Sequence, residues 1–188
     1  MTSWEAPAVI ARPVMVGLTA TFVLLTTGCG SEKPADSPIR QPSPTRSVAA
    51  SPESAGESAA LAAYRGMWAS FVEAATTSDP EFAGLREHAA GQALRLITSS
   101  LYTDHDQKRV TKGDLTLNPK VTLMKPPDAP TEVTIVDCVD STKWLKYKVN
   151  GGLADDEPGG RHRNTATVKN TNGTWRVESF TLEESGTC

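Results

Sequence analysis

The order of the periodic segments constrains the fold of this chain most strongly. Apolar residues recur every three or four positions across residues 61–101, whereas they alternate with polar ones across residues 115–182. The first spacing is typical of helices with one buried face and the second of half-buried strands. Because the helical segments come first and the strands follow, we predict an α+β domain in which helices pack on an antiparallel sheet.

Three helices are expected at the start of the domain. The first has an apolar stripe that must cover a large surface, most simply the sheet. The stripe consists of Leu61, Tyr64, Met67, Trp68, Phe71, Val72 and Ala75. Ser58 is its expected N-cap. Asp79 and Pro80 predict the start of a second helix that ends near His88, and Gly91 separates it from a third.

Five strands are expected after the helices. They are predicted at 115–123, 132–140, 145–149, 163–170 and 175–182. Pro119 limits pairing in the first strand and indicates an edge or a bulge. In the third strand Leu145, Tyr147 and Val149 are expected on an apolar face, with Lys146 and Lys148 in water.

The last two strands are joined by Asn172-Gly173, the preferred pair for a type I′ hairpin turn. The register would pair Thr171 with Thr174, Val168 with Val177 and Ala166 with Ser179. Beyond Val177 the apolar positions switch to Phe180 and Leu182. We interpret this switch as a bulge or sharp bend near Glu178-Ser179.

An apolar run at residues 14–25 follows Arg12 and ends at a Thr-Thr-Gly-Cys segment. The run is shorter than the about 20 residues that a membrane-spanning helix needs, so it reads as a secretory signal. Residues 25–29 resemble the bacterial lipobox. That resemblance implies that residues 1–28 are removed and that Cys29 carries a diacylglyceryl group with fatty acids such as palmitate. Thr26 departs from the apolar residue usual at its position, which is expected to reduce the efficiency of processing.

The anchor would place the protein outside the cytoplasm, on the outer face of the cell membrane, with the membrane as its partner through Cys29. The alternatives are an ordinary secreted protein or one held by an uncleaved leader. Residues 29–58 are rich in proline and serine and predict a disordered tether. Residues 59–188 then form a single α+β domain.

The chain has three cysteines. With Cys29 assigned to lipid, Cys138 and Cys188 are expected to form a disulfide, because paired thiols persist in an oxidising compartment. The alternative is two free thiols. The net charge is −3 and basic residues do not cluster, so nucleic acid is not expected as a partner.

Three helices followed by a sheet that closes with residues 173–182 resemble the nuclear-transport-factor-like cone, the fold shared with ketosteroid isomerases. Residues 64–68, 137–142 and 144–147 resemble actinobacterial secreted or lipid-anchored proteins whose function is not established. The resemblance implies a curved antiparallel sheet of four to five strands (a cystatin/nuclear-transport-factor-like cone) with one concave pocket between helices and sheet. Because this cone hosts enzymes, binders and scaffolds, it specifies fold rather than function.

Motifs for phosphate loops, nucleophile elbows, zinc proteases and paired-cysteine redox sites are absent from the sequence. No cofactor or metal is expected, and the acidic residues 155–157 are interpreted as a solvated loop rather than a calcium site. Strand parity directs Asp137, His162 and Asn164 toward the cone pocket, with Tyr64 and Tyr102 as hydrogen-bond donors.

An aspartate held among apolar side chains has a raised pKa and can shuttle a proton, as in ketosteroid isomerases. The alternative is that Asp137 bonds backbone or a hydroxyl at the sheet rim and that His162 lies in the preceding loop. We therefore predict an envelope lipoprotein presenting a non-catalytic binding or interaction domain, with an envelope protein or a small apolar ligand as partner. The alternative function is a small-molecule binder or isomerase-type enzyme using the cone pocket.

Overall fold

The computed structural model of the chain describes residues 52–155 and 159–188. The predicted leader, the lipobox with Thr26 and Cys29, and the predicted tether up to residue 51 lie outside the described residues. So do Asp156 and Glu157 of the acidic loop. Within the described ranges, no helix combines the length and the apolar character needed to cross a membrane.

The three helices are α1 (Pro52–Ala75), α2 (Gly84–His88) and α3 (Gly91–Asp106). The prediction that Ser58 caps the first helix is wrong, since α1 begins at Pro52 and residues 52–58 belong to it rather than to a tether. Proline reads as a linker residue in sequence. In the first turn of a helix, however, its missing N–H has no intrahelical partner to lose, and its fixed φ suits the helix.

The second helix is shorter than predicted. Asp79 Oδ1 accepts a hydrogen bond from the Glu81 amide at 2.9 Å, so Asp79 and Pro80 form a turn instead of a helix start. The helix begins at Gly84 and ends at His88, the predicted end. Gly91 opens α3 with a φ of +50°, a left-handed conformation that glycine adopts readily.

The described residues form six strands in two antiparallel sheets, where four to five in one sheet were predicted. The strands are β1 (Arg109–Gly113), β2 (Lys120–Lys125), β3 (Glu132–Asp140), β4 (Trp144–Lys148), β5 (Arg161–Thr171) and β6 (Thr174–Leu182). The main sheet has the order β2-β3-β5-β6, and β1 and β4 pair as a separate ribbon. β1 escaped prediction because Val110 is its one aliphatic residue.

The hairpin prediction is confirmed at its turn and corrected beyond it. Asn172 and Gly173 have φ values of +53° and +85°, and Val168 pairs with Val177. Ala166 pairs with Phe180 rather than with Ser179, because the register shifts between Thr167 and Val168. The predicted bulge near Glu178-Ser179 produces this shift, since Glu178 is the residue skipped in the pairing.

The two edges of the main sheet are treated differently. β2 carries lysine at both ends and a register shift between Val121 and Leu123, and Pro119 immediately precedes it, which confirms the edge position. At β6 the Gln92 side chain covers the backbone of Phe180. Its Nε2 donates to the Phe180 carbonyl at 3.1 Å and its Oε1 accepts from the Phe180 amide at 2.9 Å.

The core lies between the helices and one face of the main sheet. Its largest fully buried apolar side chains are Tyr64, Met67, Leu85, Ile97, Leu101, Val133, Ile135, Val139, Val168 and Val177. A chain of aromatic contacts links Trp68 to Phe71 and Phe180, and Phe71 to Trp144. The α+β class with helices packed on antiparallel strands is confirmed.

The predicted faces of the third strand are wrong. This segment is β4 in the ribbon, where Trp144 packs on the core and Val149 is 65 % exposed beyond the strand end. Lys146 does not simply face water. Its Nζ donates to the buried Asp104 at 2.8 Å, and Asp104 also pairs with Arg109 at 3.1 Å. The face of β4 with Trp144 and Lys146 contacts Phe71 and Asp104 of the helices. It is opposite to the face that was predicted to be apolar.

The disulfide Cys138–Cys188 is confirmed, with the two Cα atoms 5.8 Å apart. It ties the C-terminal tail, residues 183–188, to β3. The tail also bonds β5, because the amides of Glu183 and Gly186 donate to the carbonyls of Arg163 and Arg161. Covalent and hydrogen-bonded attachment together order a terminus that would otherwise fray.

Candidate functional site

Three of the five predicted site residues meet in one buried polar cluster, which we call the Tyr64 cluster: Tyr64, Asp137 and Asn164. The Tyr64 hydroxyl donates to Asp137 Oδ2 at 3.0 Å and accepts from Asn164 Nδ2 at 2.8 Å. The other carboxylate oxygen, Asp137 Oδ1, accepts from the Asn118 amide at 2.7 Å.

The local fold explains why these side chains meet. Asp137 and Asn164 are directly opposite each other in the β3–β5 register. Both lie on the strand face that also buries Ile135 and Ala166, as the alternation predicted. Tyr64 reaches them from the inward stripe of α1. Asn118 was not among the predicted residues. It contributes through its backbone amide, which every residue except proline has, so the sequence does not indicate this contact.

The cluster is sealed from solvent. Tyr64 and Asn164 are 0 % exposed and Asp137 is 3 % exposed. Burying a carboxylate is costly unless donors replace the lost water, and here a phenol and a backbone amide do so. Both oxygens of Asp137 are therefore committed to donors from the protein itself.

Burial raises the pKa of the Tyr64 phenol well above its usual range, and the neighbouring Asp137 carboxylate reinforces the shift. The hydrogen bond from Asn164 acts in the opposite direction and is outweighed. Tyr64 is thus a neutral donor at physiological pH, which matches its bond to Asp137. The phenol keeps its proton instead of releasing it.

The other two candidates lie elsewhere, so their placement in the cone pocket is wrong. Tyr102 is 66 % exposed on α3, because it follows Leu101 and a single helical step turns it away from the core. His162 has the inward parity of Asn164 but lies near the start of β5. There its Nδ1 is 2.9 Å from the carbonyl oxygen of Glu183 in the C-terminal tail.

Aromatic side chains occupy the space beside the cluster. Tyr64 contacts Trp68 with ring centroids 6.4 Å apart, and Trp68 continues to Phe180 at 5.6 Å. Trp68 and Phe180 are both buried. The space between the helices and the sheet is therefore packed with aromatic side chains next to the Tyr64 cluster.

A small cleft reaches the outer side of Asp137. Its volume is about 160 Å³, below the roughly 300–1,000 Å³ typical of sites for drug-sized ligands. It is lined by Asn118, Lys120, Val136, Asp137, Cys138, Arg163 and Cys188. The disulfide thus lines the same cleft as Asp137.

A larger cleft of about 560 Å³ lies at the end of the β1–β4 ribbon, away from the Tyr64 cluster. Lys108, Arg109, Lys148 and Val149 line it, and none of the predicted site residues does. Among residues 52–155 and 159–188, no group of three or more histidine, cysteine, aspartate or glutamate residues is arranged to hold a metal ion.

One atom of the cluster is left over. Across the described part of the chain, Asn164 Oδ1 is a buried acceptor with no hydrogen-bond partner. An unpaired buried polar atom costs about 1–3 kcal/mol. The hydrogen bonds of the cluster join α1 to the sheet, and the unpaired Asn164 oxygen lowers the stability that they provide.

No protein-family model matches the chain, and no curated protein matches it either. Solved structures do resemble it. One is the intermembrane space region of the chloroplast protein ARC6, with 13 % identity over 67 % of this chain and 97 % of that one, and a TM-score of 0.47.

A second is a Nostoc punctiforme protein of unknown function with a cystatin-like fold, with 12 % identity over 68 % of this chain and 92 % of that one, and a TM-score of 0.42. A third is a Novosphingobium aromaticivorans protein described as a candidate scytalone dehydratase, with 14 % identity, 69 % and 85 % coverage and a TM-score of 0.42. Likeness at this level carries no argument about function, so the site is interpreted from its own geometry.

Proposed function

We propose that this chain is a membrane-anchored cell-envelope lipoprotein whose folded domain is a non-catalytic binding or interaction module. The observation that carries the non-catalytic part is the sealing of the Tyr64 cluster. Its three side chains are at most 3 % exposed, and both Asp137 oxygens bond groups of the protein. A catalytic acid or base must reach a substrate proton, and this one faces Tyr64 and Asn118.

The anchored part of the proposal is supported by the sequence of residues 14–29 and by cysteine use. The lipobox resemblance assigns Cys29 to lipid, and the remaining two cysteines are paired with each other. Such pairing is typical of proteins outside the cytoplasm. Two acyl chains on Cys29 would give stable attachment where one would not.

Anchoring is tested by expressing the full chain in a lipoprotein-processing bacterium fed radiolabelled palmitate. We expect label in the wild type and none in Cys29→Ser, with the variant moving from the membrane to the soluble fraction. Cys188→Ser is the matched control and should keep the label. An unlabelled wild-type chain whose first 28 residues are intact would overturn the proposal.

Processing efficiency is tested with Thr26→Leu, which restores the apolar residue usual in the lipobox. We expect the precursor to mature faster in this variant than in the wild type, as followed by pulse-chase labelling. Equal maturation rates would show that Thr26 does not impair recognition.

The alternative, a small-molecule binder or isomerase-type enzyme, is favoured by the unpartnered Asn164 Oδ1 inside an acid–base cluster. Its test is isomerisation of a Δ5-3-ketosteroid by the wild type and by Asp137→Asn. We expect no turnover above buffer from either protein. Turnover that disappears in Asp137→Asn would overturn the non-catalytic proposal.

A further inference from the structure

We propose that the Cys138–Cys188 disulfide is a thiol–disulfide exchange site that a protein dithiol opens from the Cys188 side, releasing the C-terminal tail and widening the cleft that Asp137 lines. The inference depends on the observed disulfide and its surroundings. It stands whether or not Cys29 carries lipid.

The two sulfurs differ in access. Cys188 is exposed, whereas Cys138 is half-buried within β3. An attacking thiolate must approach along the axis of the S–S bond, and access is one of the factors that decide which sulfur it reaches. The greater exposure of Cys188 makes it the sulfur that is attacked and Cys138 the one that leaves.

Arg161 favours this direction of cleavage. Its Nη2 lies 3.5 Å from Cys138 Sγ, so the guanidinium stabilises negative charge on the departing sulfur. A cation beside a cysteine lowers the pKa of its thiol, and a thiol of lower pKa is a better leaving group.

Other charges surround the same sulfur. Lys120 and Arg163 line the cleft with it and add positive charge. Asp137 and Asp140 are the opposing groups. Asp137 is engaged by Tyr64 and Asn118, and Asp140 accepts hydrogen bonds from Thr142.

The reaction balances as a two-electron exchange. A thiolate of the reductant attacks Cys188 Sγ, a mixed disulfide forms, the Cys138–Cys188 bond breaks and Cys138 departs with the electron pair as a thiolate. The second thiol of the same reductant then attacks its own sulfur in the mixed disulfide. The reductant leaves as a disulfide, and Cys188 takes up a proton from water.

Opening would change the lining of the cleft at Asp137. The tail is held on β5 by four backbone or side-chain bonds, among them the Arg163 amide to Thr187 Oγ1 at 2.8 Å. Without the covalent link, only such bonds keep Cys188 in the wall of the cleft. Because the released tail stays joined to β6 through the chain, Cys188 remains near Cys138, so reoxidation is intramolecular and the exchange is reversible.

The site of attack is tested on the full chain carrying Cys29→Ser, with glutathione as the probe. Mixed disulfides are trapped with iodoacetamide and located by mass spectrometry. We expect glutathione on Cys188 and the alkyl group on Cys138. Glutathione found mainly on Cys138 would overturn the proposed direction.

The role of Arg161 is tested by the rate of reduction by dithiothreitol, a dithiol. Arg161→Gln should slow reduction severalfold, because loss of the neighbouring cation raises the pKa of the leaving thiol and a thiol of higher pKa leaves more slowly. Arg95→Gln removes the same charge at an exposed position on α3, away from the cleft, and is the matched control, with a rate close to wild type. Equal slowing in both variants would overturn the assignment to Arg161.

Release of the tail is tested by amide hydrogen exchange before and after reduction. We expect a larger acceleration at Arg163 and Gly186, whose amides bond the tail or belong to it, than at Ile135 in the centre of β3, which reports only the general loss of stability. Unchanged exchange at Arg163 and Gly186 in the reduced protein would refute the release of the tail. If Arg161→Gln does not fold, this measurement and the adduct mapping use the native arginine and still decide the proposal.

Discussion

At the scale of single residues, Tyr64 joins two structural layers through one hydroxyl. It donates to Asp137 on β3 and accepts from Asn164 on β5, while its ring belongs to the core stripe of α1. A phenol suits this position because it brings both a large apolar surface and one polar atom. The same hydroxyl offsets the burial of a carboxylate and an amide.

Tyr64→Phe removes that hydroxyl and keeps the ring. We expect a loss of about 2 kcal/mol in the free energy of unfolding, because Asp137 Oδ2 and Asn164 Nδ2 lose their partner while buried. Urea unfolding measures the loss. Tyr102→Phe is the matched control at an exposed position and should change stability by less than about 0.5 kcal/mol. Equal effects at both positions would contradict the structural role of the cluster.

The raised pKa of Tyr64 predicts a dependence of stability on alkaline pH. An unfolded tyrosine ionises near pH 10, whereas burial keeps the folded phenol protonated above that pH. The folded state then binds the extra proton, so its contribution to stability is complete below pH 10 and is lost as pH rises further. The slope is at most about 1.4 kcal/mol per pH unit.

The comparison that isolates this contribution is the difference in unfolding free energy between the wild type and Tyr64→Phe. We expect the difference to shrink as pH rises above about 10, since phenylalanine has no proton to lose. Urea titrations at several pH values between about 8 and 11 measure it. A constant difference over this range would contradict the shifted pKa.

At the scale of elements, the β5–β6 hairpin has the clearest local sequence signal in the chain. Asn172 and Gly173 both have positive φ, as a type I′ turn requires. Gly173 has open space around the position of a β-carbon. Glycine is therefore needed at this position because of its positive φ and not because of a lack of space.

Gly173→Ala should destabilise the protein by about 1 kcal/mol, because a β-carbon is strained at a φ of +85°. Asn172→Gly tests the neighbouring position with a residue that tolerates positive φ, and we expect a change of a few tenths of a kcal/mol at most. Thermal or urea unfolding distinguishes them. A neutral Gly173→Ala would indicate that the turn adopts another conformation.

Elements with strong local patterns were predictable from sequence. The bounds of β3 were predicted residue for residue, and the hairpin turn and its bulge follow from Asn172-Gly173 and the shift to Phe180. β1 was not predictable, since its five residues form a strand by pairing with β4, a contact distant in sequence. The alternation of inward and outward side chains likewise identified Asp137 and Asn164. It did not show that the start of β5 lies beside the C-terminal tail, so His162 was misplaced.

At the scale of the whole molecule, the disulfide is the one covalent link between distant parts of the described chain. It closes a loop with a sequence separation of 50. In the chain-entropy model such a loop contributes about 4 kcal/mol by restricting the unfolded state. The link joins the end of the chain to the same strand that carries Asp137.

The double variant Cys138→Ser/Cys188→Ser should therefore lose about 4 kcal/mol of unfolding free energy and show a larger urea m-value, because its unfolded state exposes more surface. Cys29→Ser is the matched control and should have neither effect on the domain. A loss below about 1 kcal/mol, with an unchanged m-value, would contradict the chain-entropy account.

The two borders of the main sheet also determine how copies of this protein behave when crowded together. Free strand borders invite fibril growth through backbone pairing between molecules. Here the Gln92 side chain hydrogen-bonds the backbone amide and carbonyl of Phe180 on one border. On the other, Lys120 and Lys125 flank an irregular strand that a flat partner cannot match. A domain held at high local density on a surface would thereby resist amyloid-like stacking with its neighbours.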